Sequence, residues 1–127
     1  MGELSEIYRG YIDCLNRQDW QRLGDFVDED AIYNGRRIGL TGYRDMLVGD
    51  FRAIPDLRFA IDFMVTEAPK LASRLVFDCT PAGELFGLPV NGKRVQFSEN
   101  VFYEFSGRRI VQVWSIIDKA AIEAQLS

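Results

Sequence analysis

Four acidic residues, Asp62, Asp78, Glu99 and Asp118, interrupt otherwise apolar strand patterns, and the chain contains no histidine. Imidazole is the usual acid–base group near neutral pH, so any proton transfer here falls first to a carboxylate. Asp118 ends the run Ile110-Val111-Gln112-Val113-Trp114-Ser115-Ile116-Ile117. Unbroken strand alternation puts it on one face with Ile116, Trp114, Gln112 and Ile110. An indole, an amide and a carboxylate among aliphatic groups is the mixture that an apolar ligand pocket with a few orienting polar groups requires. A carboxylate there loses hydration, its neutral form is favoured, and it becomes competent as general acid or base near neutral pH. The competing role is structural. Asp118 precedes Lys119-Ala120, and Asp is a good helix N-cap. Spacing alone does not separate the two.

Glu99 shares a strand face with Phe97, Val101 and Tyr103. A cross-strand ion pair with an arginine such as Arg74 is its simplest reading. Asn34 ends a short strand beside Gly35, where turn formation is its common role. Tyr8, Tyr11 and Tyr43 lie on apolar helix faces, which predicts buried rings whose hydroxyls reach a partner. Cys14 and Cys79 read as two buried, reduced thiols. Two cysteines without histidine do not make a tetrahedral zinc site, so no metal is expected. The chain carries no glycine-rich phosphate loop or nucleophile elbow.

The elements that must position these groups follow from periodicity. Leu4, Ile7, Tyr8, Tyr11, Ile12 and Leu15 recur at helical steps, predicting a helix ending near Asn16. Asp19 can cap a short helix carrying Trp20, Leu23, Phe26 and Val27. A strand follows over Ala31–Asn34. A third helix carries Tyr43, Met46, Leu47, Phe51 and Ile54 and is stopped by Pro55. The period then changes to two, over Leu57–Val65, Leu71–Cys79, Val95–Phe105 and Ile110–Ile117. Asn91-Gly92 is the strongest hairpin signal. A short helix over Ala120–Leu126 ends the chain. Helices first and hairpin-linked strands after argue an α+β fold, with a mostly antiparallel sheet and helices on one side.

The 127 residues fit one domain over 1–127 and one core. A net charge of −4 gives no support for a nucleic-acid partner. No segment is long and apolar enough to span a bilayer, and the acidic Met1–Glu6 stretch lacks an apolar signal core; both point to the cytoplasm and to no membrane partner. Both faces of the sheet read as apolar. One can take the helices; the other needs a partner subunit or an internal cavity, and a homodimer is expected.

The segment Gly83-Glu84-Leu85-Phe86-Gly87-Leu88-Pro89-Val90-Asn91-Gly92-Lys93 and the closing pattern Trp114-x-x-x-Asp118, then Gln125-Leu126, resemble SnoaL-like polyketide cyclases of the nuclear-transport-factor-2-like superfamily. The resemblance implies a cone-shaped α+β barrel with an internal pocket. It implies ring closure by intramolecular aldol chemistry without metal or cofactor, with Asp118 as the acid–base residue and Asn34 and Tyr11 orienting the substrate. Trp114, Gln112, Glu99, Tyr43 and Phe51 complete the expected substrate-binding set. Pro81 and Val113 stand where family members often carry histidine, so Asp118 would need another partner, such as Glu99 or Tyr103. The expected function is a cofactor-free cyclase, isomerase or hydrolase acting on a small apolar carbonyl compound. The alternative is a non-catalytic protein that binds a small hydrophobic ligand.

Overall fold

In the computed structural model, which describes residues 2–126, the apolar stripe of α1 (Gly2–Asn16) is buried at Ile7, Tyr8, Tyr11, Ile12 and Leu15. A 3-10 helix follows over Trp20–Asp25; Asp19 precedes it but makes no side-chain cap hydrogen bond. The short strands β1 (Val27–Tyr33) and β2 (Arg36–Arg37) lead to α2 (Gly39–Ala53), which buries Tyr43 and Leu47 and stops before Pro55. Long antiparallel strands come next: β3 (Ala60–Glu67) and β4 (Lys70–Cys79). A small hairpin of β5 (Glu84–Leu85) and β6 (Leu88–Pro89) separates them from β7 (Val95–Ser106) and β8 (Arg109–Ile117). The helix α3 (Lys119–Leu126) closes the chain.

Six strands form one sheet in the order β2-β1-β8-β7-β4-β3, in which only β1 and β8 run parallel. The α+β class and the cone-like arrangement of helices on a mostly antiparallel sheet are as expected. The sheet is open, with β2 and β3 at its edges, rather than a closed barrel. Asn91 and Gly92 both adopt positive φ, 51° and 83°, as an Asn-Gly turn requires. That turn does not join two paired strands, because β6 pairs with β5 and β7 with β4. Its amides instead bond back to the carbonyls of Gly83 and Pro81.

One irregularity in β8 decides which of its side chains face inward. Glu104 pairs with Gln112 but Phe105 pairs with Ile110, so Val111 is an extra residue in β8. Ile110 and Val113 are consequently both buried, at 0% and 1% exposure. Beyond the bulge, Val113, Ser115 and Ile117 continue the inner face, whereas Trp114 and Ile116 are exposed. The inner face of β4 and β7, from Leu71 to Cys79 and Val95 to Phe105, meets α1 and α2 to form the core. Among the described residues, no helix is long and apolar enough to cross a membrane.

Candidate active-site cavity

Inward alternation on β7 carries Val95, Phe97 and Glu99 toward the helices, and β8 adds Ser115 and Ile117. The helical spacing of α2 puts Met46 and Asp50 on the side facing them. These elements enclose a cavity of about 310 Å³. One end is polar, formed by Tyr33, Asn34, Asp50, Glu99 and Ser115. The other is apolar, and its walls include Ile54, Leu57, Phe59, Phe77, Phe86 and Phe97. The rings interlock: Phe77 stacks on Phe97 with centroids 5.0 Å apart, while Phe59 and Phe86 meet them edge-on at 5.4 and 6.2 Å.

Ser115 ties the polar end together. Its hydroxyl donates to the Glu99 carboxylate. Its backbone N–H donates to Asn34 Oδ1 at 2.8 Å, and its carbonyl accepts from Asn34 Nδ2 at 3.3 Å. Asn34, in a left-handed conformation with φ 48°, thus extends the β1–β8 pairing with its side chain. Burial pushes the Glu99 carboxyl above the usual carboxylate range; the Ser115 hydrogen bond opposes this shift and the Asp50 charge adds to it. Burial alone raises Asp50 to about 6. Tyr33 is raised to about 12, by burial first and then by the Glu99 charge, against the Ser115 hydroxyl. Both carboxyls are thus held above the ordinary range by burial, and the Asp50 charge works against ionisation of Glu99.

All five tyrosines of the chain form one cluster, with Tyr33 in the polar end and the other four behind it. The hydroxyls of Tyr11 and Tyr43 lie 2.6 Å apart, and Tyr8 donates to Tyr103 at 3.2 Å. Tyr11, Tyr43 and Tyr103 are buried, and desolvation drives their hydroxyls upward from the ordinary phenol value. They are packing groups with satisfied hydroxyls rather than cavity walls.

Of the residues singled out in the sequence, Asn34 and Glu99 line the cavity. Tyr11 and Tyr43 sit behind it, and Phe51 packs between Trp20 and Phe59. Gln112, Trp114 and Asp118 do not face it. The β8 bulge turns Trp114 onto the outer sheet face opposite Phe102, and Gln112 lies opposite Glu104. Asp118 is exposed, and its Oδ1 accepts the Ala121 N–H at 3.1 Å, which is the N-cap geometry of α3. The expected Glu99–Arg74 ion pair is likewise absent. Arg74 binds Asp62 at 2.7 Å on the outer face, and Asp78 binds Arg94 there. The sequence reading passes over Asp50, although its position four residues after Met46 and four before Ile54 is the available signal.

A second concavity, about 590 Å³, lies on the outer face and includes Arg58, Arg74, Asp78, Gln96 and Asp118. It is larger, but its charges are exposed and largely ion-paired. In the inner cavity burial raises two carboxyls, Asp50 and Glu99, whereas Asp78 in the outer one is lowered by Arg94; a raised carboxyl is what equips a carboxylate for proton transfer near neutral pH. Among the described residues, no three Cys, Asp or Glu side chains converge as a metal site requires.

The profile of SnoaL-like polyketide cyclases matches residues 5–126. The chain is 55% identical to a SnoaL-like polyketide cyclase from Agrobacterium tumefaciens of known crystal structure. The match covers 100% of both chains with a TM-score of 0.98. IdmH, a polyketide cyclase candidate from Streptomyces antibioticus, is 21% identical over 98% of both chains with a TM-score of 0.84. AclR, a hydroxylase candidate from Streptomyces galilaeus, is 20% identical over 99% of this chain and 96% of its own, with a TM-score of 0.81. The last two establish a shared fold, on which different chemistries are ascribed. No curated protein sequence matches the chain.

Proposed function

The chain belongs to the SnoaL-like polyketide cyclase family, and from that premise we propose that it is a cofactor-free acid–base enzyme acting on a small apolar carbonyl compound, with Glu99 and Asp50 in place of Asp118 as its proton-transfer groups. The observation that carries this reading is the placement of two desolvated carboxyls at the polar end of one aromatic-walled cavity. Pairs of carboxyls whose environments separate their protonation states are how acid and base roles are divided at one pH.

Asp50, raised to about 6, is ionised at neutral pH and takes a carbon-bound proton next to the substrate carbonyl. The C–H electron pair moves into the adjacent bond and the carbonyl pair moves onto oxygen. Glu99, in the neutral form that burial favours, donates a hydrogen bond to that oxygen. The enolate carbon is then reprotonated by Asp50, giving an isomer, or attacks a second carbonyl of the same molecule, giving a ring. In the cyclisation the Asp50 proton passes to the new alkoxide, so the enzyme returns to its starting state. Ser115 and Asn34 hold Glu99 in place, and the phenylalanine walls give the site an apolar surround, which strengthens each of these interactions.

The same reading includes a homodimer and a cytoplasmic location. The apolar side chains exposed on the outer sheet face support association with a second copy. Two buried free cysteines are in keeping with a reducing compartment.

The test is enolisation without knowledge of the natural substrate. Small aryl ketones and 1,3-diketones are incubated in D2O, and loss of their α-proton signals is followed by NMR. The wild-type protein is expected to accelerate exchange, with the Glu99→Gln and Asp50→Asn variants slowed by about a hundredfold or more. Exchange at the wild-type rate in both variants would sink the assignment.

A further inference from the structure

The cavity's walls also limit what it can take. We propose, resting on the reading of this cavity as the acid–base site, that its substrate is a compact aromatic molecule of one or two rings bearing an uncharged or cationic polar end, and that anionic molecules are rejected.

Three features argue for this independently. The first is charge. The polar end holds two carboxyls, Asp50 and Glu99, and among the described residues no lysine or arginine lines the cavity. An anionic ligand would meet the Asp50 charge in a desolvated site with nothing to offset it, whereas an amide, ketone or amine would not. The direction of the carboxyl shifts agrees, because burial raises both groups and only Glu99 has a hydrogen bond, from Ser115, that opposes the rise. The second is shape. Phe59, Phe77, Phe86 and Phe97 offer edges and faces at ring-contact spacing, so a flat ring fits their arrangement better than a branched aliphatic chain.

The third is depth. Tyr8, Tyr11, Tyr43 and Tyr103 occupy the space behind the polar end with hydroxyls paired to one another. It leaves about 310 Å³, the low end of the usual range for ligand cavities. Opening that floor for a larger substrate would strand buried hydroxyls without partners. The packing of α1 and α2 against β7 thus fixes the cavity's depth, which favours one or two rings over a four-ring skeleton.

Isothermal titration calorimetry at pH 7.5 tests this with probes that differ only in charge or size: 2-naphthamide, 2-naphthylmethylamine, 2-naphthoate and pyrene-1-carboxamide. Wild-type protein is expected to bind the first two. The naphthoate is expected to bind about a hundredfold more weakly, and the pyrene amide not measurably. In the Asp50→Asn variant the penalty on naphthoate should shrink at least about tenfold, which ties the selectivity to that carboxyl. The Tyr43→Phe variant, which keeps the floor closed, should leave the pyrene amide excluded. Equal binding of naphthoate and naphthamide by the wild type, or binding of the pyrene amide, overturns the proposal. The titration needs no turnover, so selective binding without α-proton exchange would sink the enzymatic reading and leave the ligand class standing. Exchange catalysed on an anionic ketone would do the reverse.

Discussion

Ser115 on β8 donates its hydroxyl to the Glu99 carboxylate on β7, and the same residue is clasped through its backbone by the Asn34 side chain from β1. Asn34, just after β1, thus holds in place the residue that hydrogen-bonds the Glu99 carboxylate. A hydrogen bond to the charged form of an acid lowers its pKa, so this contact restrains a shift that burial otherwise drives upward. Replacing Ser115 with Ala is expected to move Glu99 further up. In the proposed mechanism Glu99 works as the protonated partner, so the alkaline limb of the rate profile should move to higher pH. The pH dependence of α-proton exchange checks this, and an unmoved alkaline limb would remove Glu99 from the mechanism.

Asn34 acts through Ser115 and is a positioning residue. The Asn34→Ala variant removes both bonds to the Ser115 backbone and leaves its N–H and carbonyl to water. Exchange is expected to fall roughly tenfold, an effect below that of deleting the acid itself. The Asn34→Asp variant keeps the acceptor for the Ser115 N–H and should recover part of the rate, which a loss of turn geometry alone would not predict.

The two cavity carboxyls carry a stability signature whose sign can be worked out. Asp50 is raised to about 6 in the folded chain, above its unfolded value near 4. Between those values the folded state holds a proton that the unfolded state has lost, so stability falls as pH rises from about 4 to about 6. The Asp50→Asn variant abolishes this loss. It should be more stable than wild type at pH 7 by something of order 2 kcal/mol while losing exchange activity, the usual mark of a strained functional group. Urea titrations at pH 4 and pH 7 measure it: the gap between the two pH values should narrow in the variant.

Asp118 is predicted to matter for the helix and not for the chemistry. Asp118→Ala deletes the bond to the Ala121 N–H, and loss of such a cap costs about 1 kcal/mol. Thermal unfolding should register that loss while exchange stays at the wild-type rate. A large fall in rate with an unchanged melting temperature would restore Asp118 to the role that the family resemblance implies.

Asp118 also shows where the sequence is legible and where it is not. The α+β order, the three helices and the long strands are readable, because each rests on a local period of apolar residues. The facing of β8 is not. Alternation counted from Ile110 puts Gln112, Trp114 and Asp118 inside, but the extra Val111 in the β7–β8 ladder reverses every position after it. Nothing in Ile110–Ile117 marks the bulge, because both parities of that run are apolar. Glu99 is placed correctly with Phe97 and Tyr103, since β7 has no slip before it. Its expected partner fails because Arg74 lies on the opposite face, bound to Asp62. Asp50 needs only its helical phase with Met46 and Ile54 to be found. It is easily passed over because an acid in a helix is normally solvated.

The reversal of β8 also builds the surface on which the dimer proposal stands. Val65, Ala72, Phe102 and Trp114 lie side by side across β3, β4, β7 and β8. The adjacent row runs Phe63, Arg74, Asn100 and Ile116. Ile116 is 71% exposed and Phe102 55%, so water meets a continuous apolar strip on an open sheet. A second copy covering it by twofold symmetry needs about 800 Å² on each partner for a stable interface. Phe102 and Trp114 are directly opposed at the β7–β8 end of the first row, and aromatic anchors carry much of an interface's energy. Phe102→Asp places a charge there without touching the inner face. It is expected to convert the dimer to a monomer in analytical ultracentrifugation while leaving the fold intact by circular dichroism. A wild-type protein that sediments as a monomer at every concentration up to about 100 μM, a range in which even micromolar association would register, would sink the proposal.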